Sequence, residues 1–288
     1  MTSDDDFLKR PAEVRIDALW RDHWIDLPMI MPICKAILDC ALMPRRSRPR
    51  WILVAADPNM GKSRLLDHVG REINRGVGQI SGPHDQRPAL VYEMPNAPTA
   101  DGFLRGLLVA AGLGHTGMRD EILFHFCLNR LGNMGAKVIL INEFQGLINT
   151  PTKADFATIV RNLQRLSEGL QASIVAFGSQ KTLLPMIQGE EQLYHRFDIF
   201  ELRQWKLDDS FRQFVATILA TLPLREGVDP ALAREKVLLQ EILDQGKAST
   251  GGVIDYLRDL ATAAIRNRTE HLGRDAILGT QADPDDER

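Results

Sequence analysis

One junction constrains this chain more than any other feature: "WILVAA" (51–56), then "DPNMGKS" (57–63), then "SRLLDHVGREI" (63–73). A short run of strand formers turns through a loop ending Gly-Lys-Ser and passes directly into an amphipathic helix. This is the context that gives meaning to the phosphate-loop pattern G-x-x-x-x-G-K-[ST]. It gathers backbone N–H groups and the positive end of a helix at one spot, where a phosphate sits best. Ala56 stands where the pattern has its first glycine. That position only begins the turn, so alanine fits if its φ is negative. Gly61 is harder to replace, because backbone approaches the phosphates there. The candidate nucleotide-binding residues are therefore Asp57, Pro58, Asn59, Met60, Gly61, Lys62 and Ser63. Lys62 would reach the β- and γ-phosphates of ATP, and Ser63 would offer its hydroxyl to Mg²⁺.

A second apolar run, "KVILIN" (137–142), ends on Asn142 and Glu143. In phosphate-loop NTPases this place holds an Asp for Mg²⁺ and, in one large group, a Glu that polarises the attacking water. Glu143 fits the catalytic role. Asn142 fits the metal role only in part, since an amide oxygen accepts from a Mg²⁺-bound water without supplying negative charge. ATP turnover is therefore expected to be slow. "GSQ" (178–180) closes another apolar run, so that Ser179 or Gln180 would face the γ-phosphate. Arg196, in "YHRFD", stands where an arginine finger would bridge subunits; the plain alternative is a surface salt bridge.

The surrounding pattern is one of short apolar runs alternating with helical stretches. Strands are expected at 51–56, 89–94, 137–142, 172–178 and 198–202, with helices at 63–73, 101–113, 119–132 and 156–170 between them. Such alternation predicts an α/β fold with a parallel sheet covered on both faces. After about residue 205 the strand signals stop, and 210–222, 231–246 and 251–270 read as helices. The expected organisation is a helical extension over 1–48, an αβα core over 49–204, a helical lid over 205–275 and a disordered acidic tail over 276–288.

Charge and cysteine content narrow the function classes. The formal net charge is −3, but Asp4, Asp5 and Asp6 carry three negative charges and the segment 283–288 a net three more. The body between them is thus mildly basic, which permits nucleic-acid contact without demanding it. "MPRRSRPR" (43–50) reads either as a solvated linker or as a phosphate-contacting arm. Cys34, Cys40 and Cys127 have no metal-ligand spacing and read as reduced thiols of a cytoplasmic protein. No apolar run approaches the roughly 18 residues of a membrane span.

Taken together, "RIDALWRDHWIDLP", "DPNMGKS", "VYEMPNAPTADGFLRGLLVAAGLG", "VILINEFQGL", "RNLQRLSEGLQASIVAFGSQ" and "HRFDIFELRQW" resemble an AAA+ P-loop NTPase, and more narrowly a TniB-type transposition protein related to the TnsC regulators. The resemblance covers about residues 12–265. It implies a five-stranded sheet in the order 5-1-4-3-2 with a C-terminal helical lid. It also implies ATP-driven homo-oligomeric assembly on double-stranded DNA, as a ring or filament, and contact with a transposase and a target-selection protein during DNA recombination. Two other readings stay open: a replication-initiator or helicase-loader ATPase, and a nucleotide-binding scaffold with negligible turnover. A sensor arginine expected three residues after Gly252 is replaced by Asp255.

Overall fold

The computed structural model describes residues 4–21, 24–75, 86–114 and 120–279. In chain order the first elements are α1 (Asp4–Leu8), α2 (Ala12–Trp20), α3 (Met31–Leu42), β1 (Trp51–Ala56), α4 (Lys62–Arg75), β2 (Ala89–Glu93), α5 (Ala100–Ala110) and α6 (Asp120–Asn133). There follow β3 (Val138–Asn142), a 3₁₀ turn (Phe144–Asn149), α7 (Lys153–Leu170), β4 (Ser173–Ser179), α8 (Gln180–Gly189), α9 (Glu191–Tyr194) and β5 (Phe197–Leu202). The last are α10 (Asp209–Leu219), β6 (Gly227–Val228), a 3₁₀ turn (Pro230–Ala233), α11 (Lys236–Gln245), α12 (Thr250–Arg266), β7 (His271–Leu272) and α13 (Arg274–Leu278).

The described residues divide into two compact units: Met29–Pro58 with Lys62–Arg203, and Met1–Pro28 with Asn59–Gly61 and Gln204–Arg288. The first is the α/β unit. Its five strands run parallel in the order β2-β3-β4-β1-β5. This is the expected order read from the other edge. All six residues of β1 are buried, as are the first four of β3 and the first six of β4. Runs buried on both faces carry no polar alternation, which is why they appear in the sequence as continuous apolar stretches.

The helices covering the sheet are set by local chemistry. α4 turns Leu65, Leu66, Val69 and Ile73 inward at helical spacing. Thr152 caps α7 by accepting the Asp155 N–H at 3.0 Å, and Gln171 ends it in the left-handed region with φ 52°. Trp51 anchors the amino end of β1 to α7 by donating its indole N–H to Ser167 Oγ at 2.9 Å.

The second unit is helical. Trp205 stacks flat on Phe214, with ring centroids 4.6 Å apart, and Trp205 donates to Thr250 Oγ1 at 3.0 Å. Its deepest polar contact joins segments far apart in sequence: Arg15 grips Glu270 through two hydrogen bonds of 2.7 and 2.5 Å and also donates to the Pro223 carbonyl at 2.7 Å. Arg15 is 1% and Glu270 9% exposed, so this is a desolvated, bidentate pair.

Three expectations need adjustment. The helix expected over 231–246 starts later, because Pro230 and the Asp229 side chain, which accepts the Ala231 N–H at 2.8 Å, close a single 3₁₀ turn first. Residues 276–278 were expected to begin a disordered tail but complete α13, where Ile277 is buried at 3% exposure. A single apolar side chain with a place to go is enough to order that turn. The rest of the tail, residues 280–288, lies outside the described residues. The residues expected as an N-terminal extension also fall into both units, with α1 and α2 in the helical one and α3 in the α/β one. All three cysteines are free and buried, and burial pushes the Cys127 thiol up to about 12. Among the described residues no helix is long and apolar enough to cross a membrane.

Candidate functional site: a phosphate loop and its strand-end partners

β1 ends at Ala56, and the chain turns through Asp57–Gly61 into α4, which begins at Lys62. Ala56 is not among the residues of positive φ, so alanine does the work asked of it. Asn59 and Gly61 both have positive φ, 59° and 87°. Such reversals turn successive N–H groups toward one concavity, the geometry that cradles anions. The value at Gly61 is one that side-chain-bearing residues rarely adopt. The tip Asn59–Gly61 is held within the helical unit: Asn59 accepts the Gly251 N–H at 2.9 Å through its carbonyl, and Thr250 Oγ1 meets Met60 Sδ at 3.8 Å. Asp57 donates its N–H to the Leu202 carbonyl at 2.9 Å, and Pro58 and Ser63 are exposed.

The loop lysine does not stand free. Lys62 Nζ donates to Glu143 Oε1, across from the end of β3, and Gln145 Nε2 donates to Glu143 Oε2. Gln145 Oε1 in turn accepts the Ser179 N–H at 3.3 Å. A chain of contacts therefore runs from the loop through Glu143 to the end of β4. Burial acts to raise the Glu143 carboxyl, but the hydrogen bond and charge of Lys62, aided by Gln145, outweigh it and hold the group below its ordinary value. Glu143 adopts a left-handed φ of 53°, a conformation uncommon for a residue with a side chain.

Asn142 and Gln180 complete the carboxyl edge of the sheet. Asn142 Nδ2 donates to Glu93 Oε2 at 2.9 Å, and Gln180 Nε2 donates to Glu201 Oε2 at 2.8 Å. An ionised carboxylate only accepts, so each amide must turn its nitrogen to its Glu and its oxygen away. Both oxygens, Asn142 Oδ1 and Gln180 Oε1, are buried without a hydrogen-bond partner among the described residues. An orphaned amide oxygen beside a phosphate loop suits a hydrated divalent cation, whose waters donate. Ser63, exposed at the start of α4, and Asn142 are the residues whose oxygens would be offered to such an ion. No cluster of three or more His, Cys, Asp or Glu able to hold a metal occurs among the described residues.

Lys62, Glu143, Asn142, Ser179 and Gln180 thus gather at the carboxyl ends of the strands, the edge where open α/β sheets bind ligands. Arg196 does not join them. It precedes β5 at the opposite edge, 5.5 Å from the Trp51 ring centroid and paired with Glu168 at 3.2 Å. Five steps along β1 separate Trp51 from Ala56, roughly 16 Å. Sequence reasoning missed two residues, Glu93 and Gln145. Both were visible as polar residues at the end of an apolar run, "VYE" and "INEFQ".

The sheet order, the loop between β1 and α4, and the strand-end carboxylate define an AAA+ P-loop NTPase fold. The sequence matches the family model described as bacterial TniB protein over residues 15–207, and the chain belongs to that family. No curated protein matches it. Among solved structures, it is similar to the Aeropyrum pernix ORC2 protein in its ADPNP–ADP complexes, with a TM-score of 0.61 and 14% identity over 91% of this chain and 70% of that one. It is similar to Drosophila ORC bound to DNA, with a TM-score of 0.61 and 14% identity over 95% of this chain and 66% of that one. It also resembles the A. pernix ORC1 protein in complex with DNA, with a TM-score of 0.57 and 15% identity over 92% of this chain and 68% of that one. At these identities the likeness concerns the fold.

Proposed function

We propose that this chain is an ATP-dependent, DNA-binding regulator of transposition. It assembles head-to-tail on double-stranded DNA and recruits or activates a transposase together with a target-selection protein. One observation carries the nucleotide part of this reading: a phosphate-loop lysine, Lys62, is coupled directly to the strand-end carboxylate Glu143. Family membership and the fold supply the rest, and two of the similar structures hold DNA.

On this reading the loop N–H groups and Lys62 bind the β- and γ-phosphates, and Lys62 leaves Glu143 as it does so. Glu143, released from its ion pair but still held by Gln145, then accepts a proton from the attacking water. Ser179 and Gln180 face the γ-phosphate. Ser63 Oγ and Oδ1 of Asn142 would hold Mg²⁺, which when bound would neutralise charge on the phosphate oxygens. Asn142 brings no charge of its own, so turnover is slow. The same observation favours a second reading, a nucleotide-binding scaffold with negligible turnover, and a steady-state ATPase assay separates the two.

Arg196 lies too far along β1 from its own loop to touch a phosphate there. It would reach one on another copy of the chain. A head-to-tail interface of that kind builds rings or helical filaments. The test is sedimentation with an ATP analogue and duplex DNA. The wild type should form nucleotide-dependent assemblies, and Arg196→Ala should stay folded, bind ATP and fail to assemble. Wild-type-sized assemblies from Arg196→Ala, or a wild type that stays monomeric throughout, would overturn the proposal.

A further inference from the structure

At the edge of the sheet opposite the phosphate loop, the α/β unit holds a cavity of about 490 Å³. It opens between the 43–50 connector, the amino ends of β1, β4 and β5, and the residue before β3. Six permanently cationic side chains line it, Arg45, Arg46, Arg48, Arg50, Lys137 and Arg196, against one carboxylate, Asp198. The way these cations are held is informative. Arg50 is paired with Asp198 at 2.5 Å, and Arg196 with Glu168 at 3.2 Å. Arg45 donates to the Leu170 carbonyl at 3.0 Å and Lys137 to the Ala41 carbonyl at 3.0 Å. Both are therefore oriented by backbone without being neutralised. Arg46 and Arg48 are exposed and meet no carboxylate among the described residues.

Like charges so concentrated repel one another, and among the described residues no carboxylate pairs with four of the six. A surface that fixes cations with carbonyls and leaves their charge uncompensated is complementary to a polyanion. The connector is also proline-bounded, at Pro44 and Pro49, which limits the backbone freedom lost when its arginines are engaged. Six cations around one opening carry more positive charge than one compact anion would balance, whereas successive phosphates of a backbone would match it.

We infer that this groove is a binding site for the phosphodiester backbone of duplex DNA, with Arg46 and Arg48 as its outer contacts and Arg45 and Lys137 as its oriented wall. The inference rests on the DNA-binding reading given above and locates it on the molecule; Arg196, paired with Glu168, is left to the subunit junction and is not one of the DNA contacts. It assigns the "MPRRSRPR" segment to phosphate contact rather than to a passive linker. Because the contacts are to phosphates, binding should be insensitive to base sequence and steeply sensitive to salt.

The test is fluorescence anisotropy with a labelled duplex of arbitrary sequence, from 50 to 300 mM salt, with and without an ATP analogue. It compares wild type with Arg46→Ala/Arg48→Ala, whose thermal unfolding should match wild type because both side chains are exposed and neither has a partner among the described residues. The double variant should bind about 10- to 100-fold more weakly near 0.1 M salt, and its log–log salt slope should be shallower by about two, with or without nucleotide. Unchanged affinity and slope would overturn the groove while leaving the proposed function intact. Loss confined to the ATP-analogue-dependent assembly, with the nucleotide-free slope unchanged, would also overturn it and assign these cations to a neighbouring subunit's nucleotide. A wild type that binds no duplex under any condition would overturn the groove and the DNA-binding reading together.

Discussion

Glu93 fixes the orientation of Asn142: its carboxylate, 2.9 Å from Nδ2, can only accept, so Oδ1 of Asn142 is turned away from Glu93 and is buried without a hydrogen-bond partner among the described residues. The two residues sit side by side in the parallel register of β2 and β3. The negative charge that Asn142 lacks is thus present one strand away.

Restoring an aspartate at 142 should therefore not by itself restore activity. Asn142→Asp places two carboxylates in contact, and one of them resists ionisation. The single variant should turn over ATP within about twofold of wild type, whereas Glu93→Gln/Asn142→Asp should gain about tenfold or more, because an unopposed carboxylate would hold the metal more strongly than an amide. Steady-state ATPase assays of wild type, both single variants and the double variant decide this. A full gain from Asn142→Asp alone would contradict the pairing described here.

Gln145 should set the ionisation of Glu143. Its amide lowers the carboxyl by donating to it, alongside the larger influence of Lys62. Gln145→Glu removes that donor and adds a like charge, so the Glu143 carboxyl should rise. The acid limb of the pH–rate profile should move to higher pH, with Gln145→Ala shifting it less. Gly178→Ala should act on the same contact from behind, because its Cβ would fall 2.3 Å from Gln145 Oε1. An unmoved acid limb in Gln145→Glu would show that Glu143 is not the titrating base.

The Arg15–Glu270 pair should dominate the acid stability of the helical unit. The Arg15 hydrogen bond holds the Glu270 carboxyl below its ordinary value against the opposing effect of burial. A carboxyl depressed on folding stabilises fully above its unfolded pKa, and that contribution is lost as pH falls through the folded one. Stability should thus decline below about pH 4.5. Arg15→Met removes the guanidinium from a buried carboxylate, which keeps the Arg225 N–H at 3.4 Å, and should cost about 3 kcal/mol near neutrality. The slope below pH 4.5 should then flatten. Denaturant melts between pH 3 and pH 8 check both.

Much of this was legible in the sequence, and the remainder divides along a physical line. "WILVAA", "KVILIN" and "ASIVAFG" are buried on both faces, so their apolar runs reveal strands without tertiary information. The phosphate loop is local, and so is its meaning. Glu93 and Gln145 are different: their roles depend on β2 lying beside β3 and on Ser179 ending the next strand, relationships that appear only once the sheet order is applied. Arg15 and Glu270 are 255 residues apart, and neither carries a local signal of its partner. The acidic tail misled because Ile277, one apolar residue among polar ones, has little weight in a composition argument but a buried site in the fold.

The central claim is that the Lys62 loop is a nucleotide site whose lysine exchanges Glu143 for phosphate. Isothermal calorimetry of a non-hydrolysable ATP analogue with Mg²⁺ tests it most directly, using wild type, Lys62→Ala and Glu143→Gln. The wild type should bind, Lys62→Ala should lose measurable binding, and Glu143→Gln should bind more tightly than wild type, because the lysine no longer has to leave an ion pair. Unchanged affinity in Lys62→Ala would contradict the account.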